Sequence, residues 1–259
     1  MLITEGKKKI FGKDFLVIAH RGASYDAPEN TFAAFQLAHR LKADMIELDV
    51  QLSSDGIPVV FHDARLDNKT NGKGAVSDYC LRELRMLDAG SWFSASFIDE
   101  RILSLAEVLD WAQNKIALNI EIKPEAVTHN AQNGIEEKTT RLVKEFGMEK
   151  KVIISSFDYR AIRRIKTFSP LMKTGLLYHK KRSKEKDYAK LTDQYGADFF
   201  HCSRSEIGAN SVNSLLNAGI PFLIYTINSA KIMRKLIRIG ASGIFTDKPG
   251  LLRRVYAKE

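Results

Sequence analysis

Two carboxylates, Glu47 and Asp49, stand two residues apart in the run MIELDVQL. On an extended strand that spacing puts both on one face and Ile46, Leu48 and Val50 on the other. Adjacent like charges in an interior raise each other's pKa and are costly unless a cation compensates them. A bound metal is one reading of the pair, and a salt bridge to basic neighbours is the other. A second run, LNIEIKP, repeats the pattern, with Asn119, Glu121 and Lys123 on one face and Ile120 and Ile122 on the opposite one. Three carboxylates make a hard oxygen site, so the cofactor expected is one divalent cation, Ca²⁺ or Mg²⁺, because Zn²⁺ prefers histidine or thiolate ligands.

His20 and Arg21 end another apolar run and are followed by the turn residues Gly22 and Ala23. Arginine suits bidentate binding of phosphate, and histidine suits proton transfer near neutral pH. His62 closes the run IPVVFHD after the turn signal Asp55-Gly56. A two-residue turn there would place His62 opposite Asp49, and Pro58 marks the return strand as an edge. Taken singly, His20 and His62 could equally be hydrogen-bonded structural histidines. His39 lies within a helical pattern, and His129, His179 and His201 lack an acidic neighbour at ligand spacing, so all four read as structural or surface groups.

The elements that must position these groups are short β-branched runs alternating with amphipathic stretches, the pattern of parallel strands covered by helices. Strands are expected near Phe15 to Ala19, Met45 to Val50, Ile116 to Ile122, Val152 to Ser156, Lys173 to Leu177, Asp198 to His201, Pro221 to Thr226 and Gly243 to Thr246. Helical patterns lie between them, among them Thr31 to Leu41, Leu105 to Gln113, Glu136 to Phe146, Tyr159 to Phe168 and Ser211 to Ala218. Eight such units in 259 residues with 44% hydrophobic content indicate an α/β chain folded as one TIM (β/α)₈ barrel. A hairpin extends the second strand. Residues 63–103, rich in turn residues and carrying Trp92, Phe93 and Phe97, form an insertion before the second helix that should sit over the barrel mouth. In such a barrel the strands' C-terminal ends carry the active site, where charged inward residues replace the usual Val, Ile and Leu.

Composition narrows the remaining classes. The longest apolar runs are strand length, so no transmembrane segment is expected, and residues 1–10 lack the pattern of a signal peptide. Cys80 and Cys202, far apart and without metal-ligand spacing, read as reduced thiols of a cytoplasmic protein. Lys and Arg outnumber Asp and Glu by 40 to 31, a net +9. Two basic runs carry much of the excess, Lys7 to Lys9 and the loop group Lys180, Lys181, Arg182, Lys184 and Lys186. Such runs are usually solvated surface, and without a nucleic-acid motif beside them no specific nucleic acid is expected.

The segments HRGASYDAPENTFAAF, IELDVQLSSDGIPVVFHD and NIEIKP, followed by TNGKG, SSFD, YTIN and GIFTDKP, resemble in order and spacing those of the glycerophosphodiester phosphodiesterase family. The resemblance runs from about His20 to Pro249. It implies that Glu47, Asp49 and Glu121 hold the metal, that His20 and His62 serve as general base and acid, and that Arg21 and Lys123 bind phosphate. In the family's usual account the glycerol 2-hydroxyl attacks phosphorus, and water opens the resulting cyclic phosphate to glycerol 3-phosphate and an alcohol. The partner implied is thus a small glycerophosphodiester. Tyr225 stands where the family commonly has Trp, which bears on the alcohol pocket, and Phe157 at the end of the fourth strand either lines that pocket or packs beneath it. Ile102 and Leu103 replace a usual Ile, Pro, Thr run. Glu29 and Asn30 either contact glycerol hydroxyls or, for Asn30 or Thr31, cap the following helix. Two other readings remain: a lysophospholipase D or sphingomyelinase D-like enzyme, whose weak membrane contact Trp92, Phe93 and Phe97 could supply, and a non-catalytic anion-binding barrel.

Overall fold

The computed structural model describes residues 9–183, 185 and 187–259; Lys7, Lys8, Lys184 and Lys186 lie outside the described residues. The strands are β1 (Leu16–His20), β2 (Met45–Leu52), β3 (Pro58–Val60), β4 (Leu103–Ser104), β5 (Ala117–Ile122), β6 (Val152–Ser156), β7 (Lys173–Leu177), β8 (Phe199–Ser203), β9 (Phe222–Tyr225) and β10 (Gly243–Thr246). β1, β10, β9, β8, β7, β6, β5 and β2 are neighbours in that order, and a β1–β2 pairing closes the ring. All pairings around the ring are parallel. The closed (β/α)₈ barrel expected from the sequence is therefore present.

Helices α1 (Phe32–Arg40), α2 (Leu81–Leu84), α3 (Leu105–Ala112), α4 (Ile135–Glu145), α5 (Tyr159–Phe168), α6 (Tyr188–Gln194), α7 (Ala209–Asn217), α8 (Ala230–Arg238) and α9 (Pro249–Tyr256) follow the chain. Their starts have local causes. Thr31 Oγ1 accepts from Ala34 N–H ahead of α1, and Ser104 and Glu107 form a reciprocal capping box at α3. Pro249 opens α9, where its missing N–H costs no hydrogen bond.

Strand parity sorts the barrel residues. Outward-facing Ala19, Ile46, Leu48, Val50, Leu118, Ile120, Ile122, Val152 and Ile154 pack under the helices, and Val17, Leu176, Phe200, Phe222, Ile224 and Ile244 do the same on the other side. Each such side chain contributes roughly 1.5–3 kcal/mol by leaving water, so the face assignment is strongly fixed. The inward set is apolar at the bottom, with Leu16, Ile18, Met45, Ala117, Ile153, Phe199, Leu223 and Phe245 packed together. Towards the C-terminal ends it turns polar: His20, Glu47, Asp49, Asn119 and Glu121 continue the same faces.

The hairpin differs from its expected register by one residue. Val50 pairs with Val60, Gln51 with Val59 and Leu52 with Pro58, so Phe61 rather than His62 lies across from Asp49, its N–H donating to the Asp49 carbonyl at 3.1 Å. The loop spans three residues, Ser54, Asp55 and Gly56, because Gly56 adopts φ +74° and the Ser53 N–H closes on the Ile57 carbonyl at 3.0 Å. Nor is β3 an edge: β4 pairs on its far side with Val59 and Val60, and Pro58 occupies the first strand position, where no ladder donor is needed.

The insertion packs Leu66, Val76, Leu84, Ala89 and Ile102 against Val59 and Phe61 of the hairpin. It reaches the barrel mouth through Lys69, whose Nζ lies 3.1 Å from Glu29 Oε2.

Candidate active site

The carboxylates converge as strand parity requires. Register between β2 and β5 sets Glu47 beside Asn119 and Asp49 beside Glu121. One oxygen from each of Glu47, Asp49 and Glu121 lies within 4.8 Å of the others. Oxygens around a shared Ca²⁺-sized ion at about 2.4 Å stand no farther apart than this, so the spacing fits a hard divalent cation. The donor set is all oxygen, and the buried Asn119 Oδ1 beside it has no hydrogen-bond partner. These residues therefore suit a metal ion of the Ca²⁺ or Mg²⁺ type and not a soft one.

Two cations flank the cluster. Arg21 Nε stands 3.3 Å from Asp49 Oδ2, and Lys123 Nζ lies 3.1 Å from Glu121 Oε1 and 3.4 Å from Asp49 Oδ1. Burial works against ionising Asp49, but Arg21, Lys123 and His62 outweigh it and hold the carboxyl at about 2. Glu47 goes the other way. Burial, reinforced by the Asp49 charge, pushes it up to about 8, and Glu121 is raised for the same two reasons.

Backbone geometry aims Arg21. The residue has φ +54°, uncommon for a non-glycine, and its N–H donates to Glu47 Oε2 at 2.8 Å. Gly22 follows at φ +88°, and a Cβ there would meet the Ala34 backbone at 2.7 Å. This close approach brings the end of β1 against α1. Glu29 fixes the guanidinium from the far side, accepting from Arg21 Nη1 at 2.9 Å. Asn30, buried and also left-handed at φ +59°, donates through Nδ2 to Asp49 Oδ2 at 3.0 Å. Its amide thus orients a carboxylate, and Thr31 takes the capping role.

Both histidines are held through Nδ1 by a carboxylate. His20 Nδ1 lies 2.7 Å from Asp247 Oδ1, and His62 Nδ1 lies 2.6 Å from Asp63 Oδ1. Such a partner fixes the tautomer with the proton on Nδ1 and leaves Nε2 as an acceptor. Burial opposes protonation of His20, but the Asp247 hydrogen bond and the Glu47 charge raise its pKa overall. Asp247 is held at about 2 despite burial, chiefly by His20 and also by Asn228 and Ser24. The segment Thr246 to Pro249 therefore does more than close the barrel and start α9. Asp247 and Asp63 lie inside the segments GIFTDKP and IPVVFHD, yet spacing alone assigns neither of them a role.

His20, Arg21, Glu47, His62, Glu121, Lys123, Phe157 and Tyr225 all line one cavity of about 220 Å³. Asp49 is buried beside it, against Arg21 and Lys123. The expected site residues are thus brought together, including His62, which follows Phe61 and its bond to the Asp49 carbonyl, despite the shifted register. Phe157 and Tyr225 meet edge to face at 6.0 Å on the opposite wall. His39 packs edge-on to Trp111, and His201 is buried in the barrel against Phe245 with no hydrogen-bond partner among the described residues, its pKa lowered to about 3 by burial. Trp92, Phe93 and Phe97 pack on one another. Cys80 and Cys202 are free thiols. Among the described residues no helix is long and apolar enough to cross a membrane.

The family model for the glycerophosphoryl diester phosphodiesterase family matches residues 20–251. A glycerophosphodiester phosphodiesterase of Caldanaerobacter subterraneus subsp. tengcongensis is 41% identical over 244 residues, covering 94% of this chain and 98% of the relative. A Bacillus subtilis enzyme of the same name is 31% identical, covering 93% and 86%. Among solved structures, an Oleispira antarctica phosphodiesterase in complex with the product sn-glycerol-3-phosphate superposes with a TM-score of 0.82 at 31% identity, covering 93% of this chain and 96% of that one. The glycerophosphodiester phosphodiesterase of Agrobacterium tumefaciens superposes with a TM-score of 0.81 at 27% identity, covering 93% and 99%. With a family match over nearly the whole chain and relatives of this identity and coverage, the chain belongs to the glycerophosphoryl diester phosphodiesterase family and is a phosphodiesterase of that kind.

Proposed function

We propose that this enzyme hydrolyses glycerophosphodiesters to glycerol 3-phosphate and an alcohol, with one divalent cation, Ca²⁺ or Mg²⁺, held by Glu47, Asp49 and Glu121. The observation that carries the reading is the pair of carboxylate-anchored histidines facing one cavity with the three-carboxylate cluster. When bound, the ion supplies charge stabilisation to the phosphoryl oxygens. Arg21 and Lys123 bind the same oxygens, and their carboxylate partners hold them in place beforehand.

His20, oriented by Asp247, takes the proton from the glycerol 2-hydroxyl as that oxygen attacks phosphorus. His62, oriented by Asp63, gives a proton to the departing alcohol oxygen, so the P–O bond to the alcohol breaks as the bond to the 2-oxygen forms. Opening of the cyclic phosphate reverses the transfers: His62 takes a proton from water, and His20 returns its own to the 2-oxygen. Phe157 and Tyr225 form the wall against which the alcohol half rests. The product complex of the Oleispira antarctica relative supports a small glycerol phosphate as the group retained in such a site.

The test is release of glycerol 3-phosphate from glycerophosphocholine, glycerophosphoethanolamine, glycerophosphoglycerol and a lysophospholipid, each with Ca²⁺ and with Mg²⁺. Hydrolysis of the lysophospholipid alone would overturn this reading in favour of a lysophospholipase D. The domain is proposed to be single, spanning residues 1–259 with the insertion at about 63–103.

A further inference from the structure

The cavity has two unlike halves. Its carboxylates and histidines come from β1, β2 and the hairpin, and from β5, whereas Phe157, Leu177, Tyr225 and Phe245 belong to the opposite arc of the ring, after β6 and on β7, β9 and β10. The aromatic wall lies across the cavity from the carboxylates, and in the reading proposed above the alcohol half of the diester rests against it. Aromatic faces of this kind ordinarily attract quaternary ammonium groups. Here a resident cation already stands over one ring of the wall. The Arg182 guanidinium carbon stands 5.7 Å from the centroid of the Phe157 ring.

Arg182 is exposed. Its loop is nonetheless anchored at the rim. The Arg182 N–H donates to the His179 carbonyl at 2.8 Å, and the Lys180 N–H donates to Glu206 Oε1 at 2.9 Å. Tyr225 donates its hydroxyl to the Tyr178 carbonyl at 2.7 Å, tying the pocket wall to the start of the same loop. That bond uses the tyrosine's donor, so Tyr225 offers substrate its ring. Glu206, whose charge is felt at Tyr225, has its other oxygen engaged by the Ser203 hydroxyl at 2.8 Å, which fixes its position between β8 and the loop. The cation presented to the Phe157 side of the aromatic wall is the Arg182 guanidinium.

We propose that Arg182, seated on Phe157, selects the alcohol half of the diester, favouring alcohols that carry an anionic group such as a carboxylate and disfavouring a quaternary ammonium. The proposal rests on the phosphodiesterase reading above and names its substrate class. A planar guanidinium pairs with a carboxylate through two parallel hydrogen bonds, whereas a trimethylammonium has no acceptor to offer and meets a like charge. Exposure limits the effect through salt screening over about 8 Å at physiological ionic strength.

Three diesters of glycerol 3-phosphate that differ only in the alcohol, choline, ethylene glycol and glycolic acid, are compared as substrates of the metal-loaded wild type, Arg182→Ser and Arg182→Glu. The same three are titrated calorimetrically into His20→Ala protein with and without Arg182→Ser. The expected result is a wild-type kcat/KM for the glycolate diester roughly tenfold above that for the choline diester at low salt, mainly through KM and shrinking as salt rises. Arg182→Ser should bring the three values together, and Arg182→Glu should reverse their order, which loss of packing on Phe157 alone would not do. An unchanged order in all three proteins, or a wild-type preference for choline, overturns the proposal. If none of the diesters is hydrolysed, the phosphodiesterase reading fails, and the calorimetric order still decides the role of Arg182.

Discussion

Asp247 Oδ1 meets His20 Nδ1 at 2.7 Å, joining the end of the last barrel strand to the end of the first. The contact exists because β1 pairs with β10 in a register that sets Ala19 beside Thr246, so the residues after each pair emerge together at the barrel's C-terminal rim. Asp247 also accepts from Asn228 Nδ2 and the Ser24 hydroxyl, which fixes its own orientation.

Replacing Asp247 by Asn should keep the fold and lower kcat by about 10- to 100-fold with little change in KM, because the amide no longer enforces the Nδ1–H tautomer of His20. Steady-state kinetics across pH 5 to 9 checks this. A variant with wild-type kcat at every pH would show that Asp247 does not orient the histidine.

The same carboxylate makes a pH-dependent contribution to stability. Its pKa is depressed to about 2 from an ordinary 3.8, so the contribution is fully present above the unfolded value and is lost as pH falls through the folded one. That depression corresponds to at most roughly 2 kcal/mol, and solvent screening of the partly exposed pair lowers it to about 1 kcal/mol. Urea unfolding should therefore find Asp247→Asn less stable than wild type by about this screened amount at pH 7, with the gap closing between about pH 4 and pH 2.

Removing either histidine should affect turnover far more than folding. His20→Ala and His62→Ala should each lower kcat by roughly 10²-fold or more, the usual size of a general acid or base contribution. Circular dichroism would establish the fold. A folded His62→Ala variant with near wild-type kcat would sink the acid assignment.

Chelation should abolish activity, and Glu47→Gln, Asp49→Asn and Glu121→Gln should each weaken metal affinity by at least about tenfold, since each removes a charged oxygen ligand. Calorimetric titration of Ca²⁺ and Mg²⁺ into the metal-free proteins measures this independently of catalysis. Full activity in excess chelator would rule out the metal's catalytic role.

The amino-acid sequence determined the barrel and the inward carboxylates, because both follow from short-range periodicity. Alternation of two along β2 and β5 is a property of any extended chain, so Glu47, Asp49, Asn119 and Glu121 could be assigned to one face before their neighbours were known. The tertiary structure decided what periodicity does not encode. Whether the hairpin loop holds two residues or three depends on the left-handed turn at Gly56, and that single residue moves Phe61 into the place expected for His62. Asn30 looks in sequence like a helix cap or a substrate contact, yet its amide meets Asp49 because the tight turn at Gly22 presses the β1 end against α1. Asp247 acquires its role only when a ring of parallel strands closes, since closure brings together residues 227 positions apart whose side chains then meet at 2.7 Å. Local pattern fixes which way a side chain faces; which side chain it then meets is set by register and ring closure, and these depend on the packing of the whole chain.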